Sequence, residues 1–323
     1  MRYKQLTLEK RYQITALIKA GFNQKSIAVE LCVHPSTISR ELRRNNDKVR
    51  GYNAELAQII SSKTEMQKAK RFALTKSIQR YIRSKLKLDW SPEQISGRMK
   101  LDTGISVVHE TIYRYIYTNK KNGGKLYQYL RHKNKKYHKR SNHYMARGTI
   151  IDRVLIDKRP KIVEKKSRIG DWEIDTVVGK DHKGFLVTVV DRKSKFSIIK
   201  NIPTKHAEVV TEALIEMLTP MKKITHTITS DNGKEFAYHK QVSAALDTDF
   251  YFANPYHSWE RGLNEHTNGL IRQYLPKKST FLNVSKDEII MIQNRLNHRP
   301  RKILNYKTPY EVFFSEMSKK LAS

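Results

Sequence analysis

Near residue 166 the spacing of the chain's apolar residues changes, and no other feature limits the possible folds as much. Ahead of it, apolar residues recur every three or four positions, as in Ile14, Leu17 and Ile18, then Ile78, Ile82 and Leu86, then Ile112 and Ile116. That is the period of helices buried along one face. Beyond it, residues 172–180 alternate around Ile174, Thr176 and Val178, and 185–191 form a continuous strand-like run. Residues 195–201, 224–229 and 250–253 are further strand candidates, while 206–218, roughly 259–274 and 286–297 have helical spacing. Three strands in succession, then helices and strands in alternation, predict an α/β core: a mixed sheet flanked by helices. The front is all-α.

The front opens with three short helices. Thr7 can cap the first and Gly21 closes it; Asn23 can cap the second, which turns Ile27 and Leu31 inward. Cys32-Val33-His34 then leads to Pro35, a residue suited to a first helical position. In the third helix Ile38 and Leu42 face the core and leave Ser36, Thr37, Ser39, Arg40, Arg43 and Arg44 outward. A hydrophobic tripod presenting a polar, basic second helix is the layout of a helix-turn-helix, which reads the major groove. A three-helix bundle with a solvated face has the same pattern.

Charge weighs between them. Lys and Arg total 63 against 31 Asp and Glu, a net +32. Residues 1–150 hold 33 basic and 10 acidic residues, whereas 151–323 hold 30 and 21. An excess concentrated at the front predicts a DNA-binding surface, because neutralising phosphates releases counterions. A merely soluble basic protein, or one drawn to anionic membranes, is the weaker reading. No run approaches the ~18 apolar residues of a membrane helix, and the start lacks the apolar core of a secretory signal. Cys32 stands alone, so no disulfide framework or thiolate zinc site forms within one chain.

A second helix-turn-helix candidate follows a basic helical stretch. Ser91-Pro92-Glu93 starts a helix with Ile95 and Met99 inward, Thr103-Gly104 turns, and 106–117 form the next helix with Val108, Ile112 and Ile116 buried. His109, Glu110 and Arg114 stay outside, with His109 and Arg114 the candidate DNA contacts; a helical spacer is the alternative. Residues 131–140 are nearly all basic, and Lys133, Lys135, Lys136, Lys139 and Arg140 are expected to track a phosphate backbone. The expected partition is 1–50 and 51–120 as DNA-binding modules, 121–165 as a basic linker and 166–323 as the core.

Three carboxylates in the core stand where carboxylates are costly or aimed outward. Asp175 lies in mid-strand, Asp231 directly follows an apolar strand, and Glu265 lies on the next helix, with 33 residues between the last two. Such a set at a sheet edge, all oxygen, suits magnesium or manganese. A pair of ions ~3.5–4 Å apart activates the attacking oxygen and stabilises the leaving one of a phosphodiester. Spacing alone leaves Asp171, Glu173, Asp191, Glu235 and Glu260 as competitors, and Asp231 before Asn-Gly also suits a plain turn. Asn264 and Asn268 flank Glu265 at helical spacing and either contact DNA, orient carboxylates or simply solvate the helix. Tyr256, His257, Trp259 and His266 are weaker candidates, and Arg295, Arg299 and Arg301 are expected on phosphates.

WEIDTVVG, ITSDNGKEF and SWERGLNEHTNGLIRQYLP resemble the three catalytic blocks of insertion-sequence transposases of the DDE class, and most closely the insertion-sequence-thirty family. The blocks around VHPSTISRELRRN, SPEQIS, ETIYRYIY and LNHRPRKILNYKTPYEVF resemble that family too, so the resemblance runs along nearly the whole chain. It implies a ribonuclease-H-like, retroviral-integrase-like core. Asp175, Asp231 and Glu265 become the catalytic, metal-holding acids, and Arg272, seven residues after the Glu, the accompanying basic residue. It further implies two magnesium ions (manganese substituting), double-stranded DNA as partner in the form of terminal inverted repeats and target, and a homodimer or larger assembly. The expected place is the bacterial cytoplasm, on the nucleoid. A DNA-binding regulator without catalysis is the main alternative, and a nuclease that cuts without joining is another.

Overall fold

The computed structural model describes residues 6–45, 51–67, 74–131, 150–255, 257 and 262–322. Backbone contacts divide the chain into Met1–Lys76 and Ser77–Ser323. In the first unit, α1 (Leu8–Lys19) starts where the Thr7 hydroxyl accepts the Lys10 amide. The Asn23 side chain accepts the Lys25 and Ser26 amides at the head of α2 (Gln24–Glu30), and α3 (Pro35–Asn45) follows. Ile14, Ile27, Ala28, Leu31 and Ile38 form the core, as the spacing predicts. A fourth helix, α4 (Ala54–Gln67), packs on α1 and α3, and the first unit runs on to Lys76. Through this core runs a buried ion pair: Arg11 Nε donates to Glu41 Oε1 at 2.7 Å, and the Tyr52 hydroxyl donates to the same oxygen at 3.1 Å.

The second unit begins with α5 (Lys76–Leu86), α6 (Pro92–Thr103) and α7 (His109–Lys121). Ser91 and Gln94 close a capping box on α6. Helix α7 begins three residues later than its spacing suggests. Val108 is extended backbone at the helix entry and 61% exposed, and Val107 is buried instead. These helices share one unit with the α/β core. The Arg98 guanidinium grips the Glu311 carboxylate with two bonds of 2.6 and 2.7 Å, and a Cβ on Gly97 would lie 2.3 Å from the Tyr306 ring. The Arg98 pair holds the Glu311 carboxyl down at about 2. A depressed carboxylate pKa contributes stability above the unfolded value near 4.5 and loses it as pH falls through about 2. Glu311→Gln should therefore lower Tm at pH 7, and the gap from the native chain should close in melts taken progressively toward pH 2.

A short helix, α8 (Lys161–Lys165), precedes the sheet, which comprises β1 (Asp171–Val178), β2 (Phe185–Asp191), β3 (Ser197–Ile202), β4 (Thr227–Ser230) and β5 (Asp249–Phe252). Its order is β3-β2-β1-β4-β5; β1, β2 and β3 pair antiparallel, and β4 joins β1 and β5 in parallel. This is the mixed α/β sheet the spacing predicts. Strand β3 starts at Ser197 because Lys195 is left-handed, at φ 65°, in the hairpin turn.

One face carries Trp172, Ile174, Val187 and Val189 under α9 (Ala207–Leu218), α10 (His239–Leu246) and α13 (Pro309–Ala322). The other carries Val177, Leu186 and Ile199 under α11 (Gly262–Ile271) and α12 (Lys286–Asn297). The rear of the expected linker is also core. The Phe252 amide donates to the Val154 carbonyl at 2.8 Å, Val163 is fully buried, and the buried Arg159 donates to the Thr229 hydroxyl at 2.8 Å and pairs with Glu164. Lys133, Lys135, Lys136, Lys139 and Arg140 lie outside the described residues. Among the described residues no helix is long and apolar enough to cross a membrane.

Candidate active site and DNA interface

Side chains alternate along β1, so Asp175 shares the face of Val177 while Thr176 points to the other. The parallel register pairs Trp172 with Ile228 and Glu173 with Thr229; continued by two residues, it sets Asp175 level with Asp231. Neighbouring strands lie about 4.8 Å apart. Asp231 is half-buried just past β4, where its carboxylate accepts the Gly233 amide at 2.9 Å. The following residue is pinned on both sides. Asn232 donates to the Ala253 carbonyl at 2.6 Å and accepts from Arg153 at 2.7 Å.

Helix α11 is clipped to β1 by two asparagines four residues apart. Asn264, 1% exposed, donates to the Ile174 carbonyl at 3.0 Å, and Asn268 donates to Asp175 Oδ2 at 2.6 Å. Glu265, exposed in the first turn, lies between them. The turn bearing Glu265 is thereby seated against the strand bearing Asp175. Of the roles open to the asparagines, orienting carboxylates is the one Asn268 performs.

The competing carboxylates have other work. Asp171 pairs with Arg168 at 2.9 Å and accepts the Thr227 hydroxyl; Glu173 pairs with the buried Arg192 at 2.8 Å. Asp191 caps a turn through the Gly170 and Ser194 amides, each at 2.7 Å. Glu235 accepts the Thr176 hydroxyl at 2.9 Å, and its carboxylate lies beside Gly233, close to that of Asp231. Glu260 lies outside the described residues, as do Tyr256 and Trp259.

Arg272 is one residue past α11. It donates to the Val178 carbonyl at 2.7 Å and lies 5.2 Å from the centre of the Phe281 ring, and burial lowers its pKa. It ties the end of α11 to the end of β1. Of the arginines that charge suggested as phosphate contacts, Arg299 and Arg301 are withdrawn from solvent while Arg295 is half-buried. Arg299 and Arg301 are buried, bonded to Tyr274 at 2.7 Å and the Leu296 carbonyl at 3.0 Å, and Arg295 donates to the Lys87 carbonyl at 2.6 Å. His266 is exposed on α11, with its pKa lowered by partial burial and by Arg301. Arg153 and Arg159, which hold the Asp231 strand and turn, were missed from sequence. Both lie in the expected linker, and nothing local marks them as core.

Among the described residues no three His, Cys, Asp or Glu side chains stand close enough to hold one ion. The donor set does fit a divalent cation chemically: Asp175 on β1 and Asp231 just past β4 are oxygen donors, and Asn268 Oδ1 is a buried oxygen with no partner beside Asp175.

Residues 2–45 match the family described as helix-turn-helix domain, and 166–258 match the integrase core domain. A transposase for insertion sequence element IS4351 of Bacteroides fragilis is 46% identical, covering 96% of this chain and 95% of its own length. The transposase InsI of element IS30A from Escherichia coli (strain K12) is 34% identical over 95% of this chain and 82% of its own. A transposase for element IS1086 of Cupriavidus metallidurans is also 34% identical, covering 96% and 94%.

The chain belongs to the insertion-sequence-thirty transposases.

The transposase is thus an enzyme whose partner is DNA, and transposases with this core use divalent metal ions. Its helix-turn-helix domain, residues 2–45, takes in α1, α2 and α3. On α3, Ser39, Arg40, Arg43 and Arg44 are exposed, while Ser36 and Thr37 are half-buried, with Ser36 Oγ 2.9 Å from His34 Nδ1. Arg114 is exposed on α7, and His109 is half-buried, edge-on to Tyr113 and 3.5 Å from Glu110. If Arg40 or Arg43 reads a guanine edge, its replacement by Ala should cost roughly 1–3 kcal/mol on the cognate element end and far less on random DNA. Equal losses on both, measured by competition binding, would reduce the contact to a phosphate.

Proposed function

We propose that the transposase reads the terminal inverted repeats of its own element through α3 and cuts and joins them by a DDE mechanism at Asp175, Asp231 and Glu265. The observation that carries this reading is the double clip of Asn264 and Asn268, which seats Glu265's turn on β1 beside Asp175, with Asp231 just past the neighbouring strand. These three acids would hold two magnesium ions, with manganese as a substitute. When bound, the ions polarise the phosphate and the attacking and leaving oxygens.

The chain supplies orientation. Asn268 fixes the rotamer of Asp175, Arg153 and Asn232 hold the turn of Asp231, and Arg272 holds α11 against β1. Water attacks the phosphorus at the element end, the 3′ oxygen leaves, and the freed 3′-OH then displaces an oxygen at a second phosphodiester. No covalent bond to the enzyme is required. Two ends must meet, so the working assembly is at least a dimer, and joined-end or circular intermediates are the family's implied products. Arg114 and His109 of α7, and the lysines and arginine at 133–140, would add phosphate contacts.

The test is to incubate the full chain with Mg²⁺ and DNA carrying the repeats that flank its gene, then map cut and joined strands. Joined products support the reading. Cutting without joining would make it a nuclease, and end binding with neither would leave a regulator.

A further inference from the structure

Beyond the catalytic acids, at the far end of β1, two loops are built into one basic surface. The turn of residues 179–184 is closed by the Gly179 amide on the Gly184 carbonyl and the Lys183 amide on the Lys180 carbonyl, both at 3.0 Å. Residues 276–281 dock on it. The Lys180 amide donates to the Ser279 carbonyl at 2.9 Å, and the Lys183 carbonyl accepts the Phe281 amide at 2.8 Å and the Thr280 hydroxyl at 3.1 Å. A Cβ on Gly184 would stand 2.6 Å from the Phe281 carbonyl carbon, so the approach demands glycine. Phe281 is fully buried, beneath the Arg272 guanidinium. On this fixed backbone Lys180, Lys183, Lys277 and Lys278 are all exposed, and among the described residues the ion pair here is Lys180 with Asp181 at 3.7 Å.

We infer that this surface holds the phosphate backbone of the target duplex during joining, an inference that rests on the transposase reading above. Four ammonium groups are point charges suited to phosphate, without the planar fork that reads a guanine. They neutralise a duplex without asking its sequence. That is what the second substrate needs, since the element end has α3 to read it. The reach also fits. Five residues of extended chain from Asp175 to Lys180 span about 17 Å, or roughly five base-pair steps of 3.4 Å.

The test uses the full chain with Lys180, Lys183, Lys277 and Lys278 all changed to Ala, and Lys223→Ala as the control. The four-fold variant should raise the KM for target DNA at least tenfold, with most of the loss recovered at saturating target. The slope of log target affinity against log salt should flatten by about 0.9 for each phosphate contact removed. Methylphosphonates placed about five base pairs from the joining point should reproduce the defect in the native chain. An unchanged target KM and salt slope would overturn the inference. So would equal losses in end binding and end hydrolysis, which would assign the surface to the element end. A native chain that binds ends but neither cuts nor joins them would fail the transposase reading itself, and the inference with it.

Discussion

Asp175→Asn, Asp231→Asn and Glu265→Gln should each abolish cutting and joining, by at least ~10³-fold, or about 4 kcal/mol of transition-state stabilisation. Each keeps the shape of its side chain and removes one charged oxygen ligand. Binding to the element end should survive, because α3 belongs to the other unit. Losses should not add: a double variant falls no further than a single one, as expected of residues acting as one unit. Asn268→Ala should cost less, roughly 10–100-fold, because it orients an acid rather than holding charge. Glu235→Gln should leave most activity, since a glutamine oxygen can still accept the Thr176 hydroxyl that Glu235 accepts. Strand-transfer assays in Mg²⁺ measure all of these. A dead Glu260→Gln beside an active Glu265→Gln would place the register of α11 more than a turn out, and three active variants would move the site elsewhere.

Arg11→Ala should unfold the helix-turn-helix unit. It leaves Glu41 buried without its partner and removes contacts to the Leu6 carbonyl and Gln58. Breaking a buried pair from one side costs about 3–5 kcal/mol, comparable with the ~5 kcal/mol at the low end of small-domain stability. Melts of the full chain should lose their first transition, and specific DNA binding should go with it. Replacing both partners by apolar residues, Arg11→Met with Glu41→Leu, should recover most of the stability, since neither charge is then stranded. If that double variant melts as early as Arg11→Ala, packing rather than buried charge explains the loss.

What was legible in the sequence was local or periodic. Thr7, Asn23 and Ser91 could be assigned as caps because a cap bonds its own helix two or three residues on. The sheet could be read because alternation in β1 and the continuous run of β2 are set by what each strand buries. The site was partly legible. Spacing offered Asp175, Asp231 and Glu265 among eight carboxylates, resemblance chose them, and the geometry gave the competitors Asp171, Glu173 and Asp191 structural partners.

What failed depended on partners far along the chain. Arg299 and Arg301 look like phosphate contacts in a basic protein, yet the chain folds over them. Arg159 meets Thr229 seventy residues away, and α4 packs on a helix some fifty residues before it. No window of sequence carries those meetings. The expected bounds at 50, 120 and 165 and the split at Lys76 that backbone contacts give differ for that one reason.

The weld of Gly97 to Tyr306 and of Arg98 to Glu311 has a geometric consequence for the substrate. Gly97 and Arg98 are both on α6, against which α7 packs, so any duplex that α7 grips would be indexed to the cutting point like a bolt in a keyed slot. Each base pair inserted between grip and cut would swing the scissile phosphate by about 34–36° around the duplex axis, given 10–10.5 base pairs per turn. Tolerance of the element end to such insertions would have a helical period.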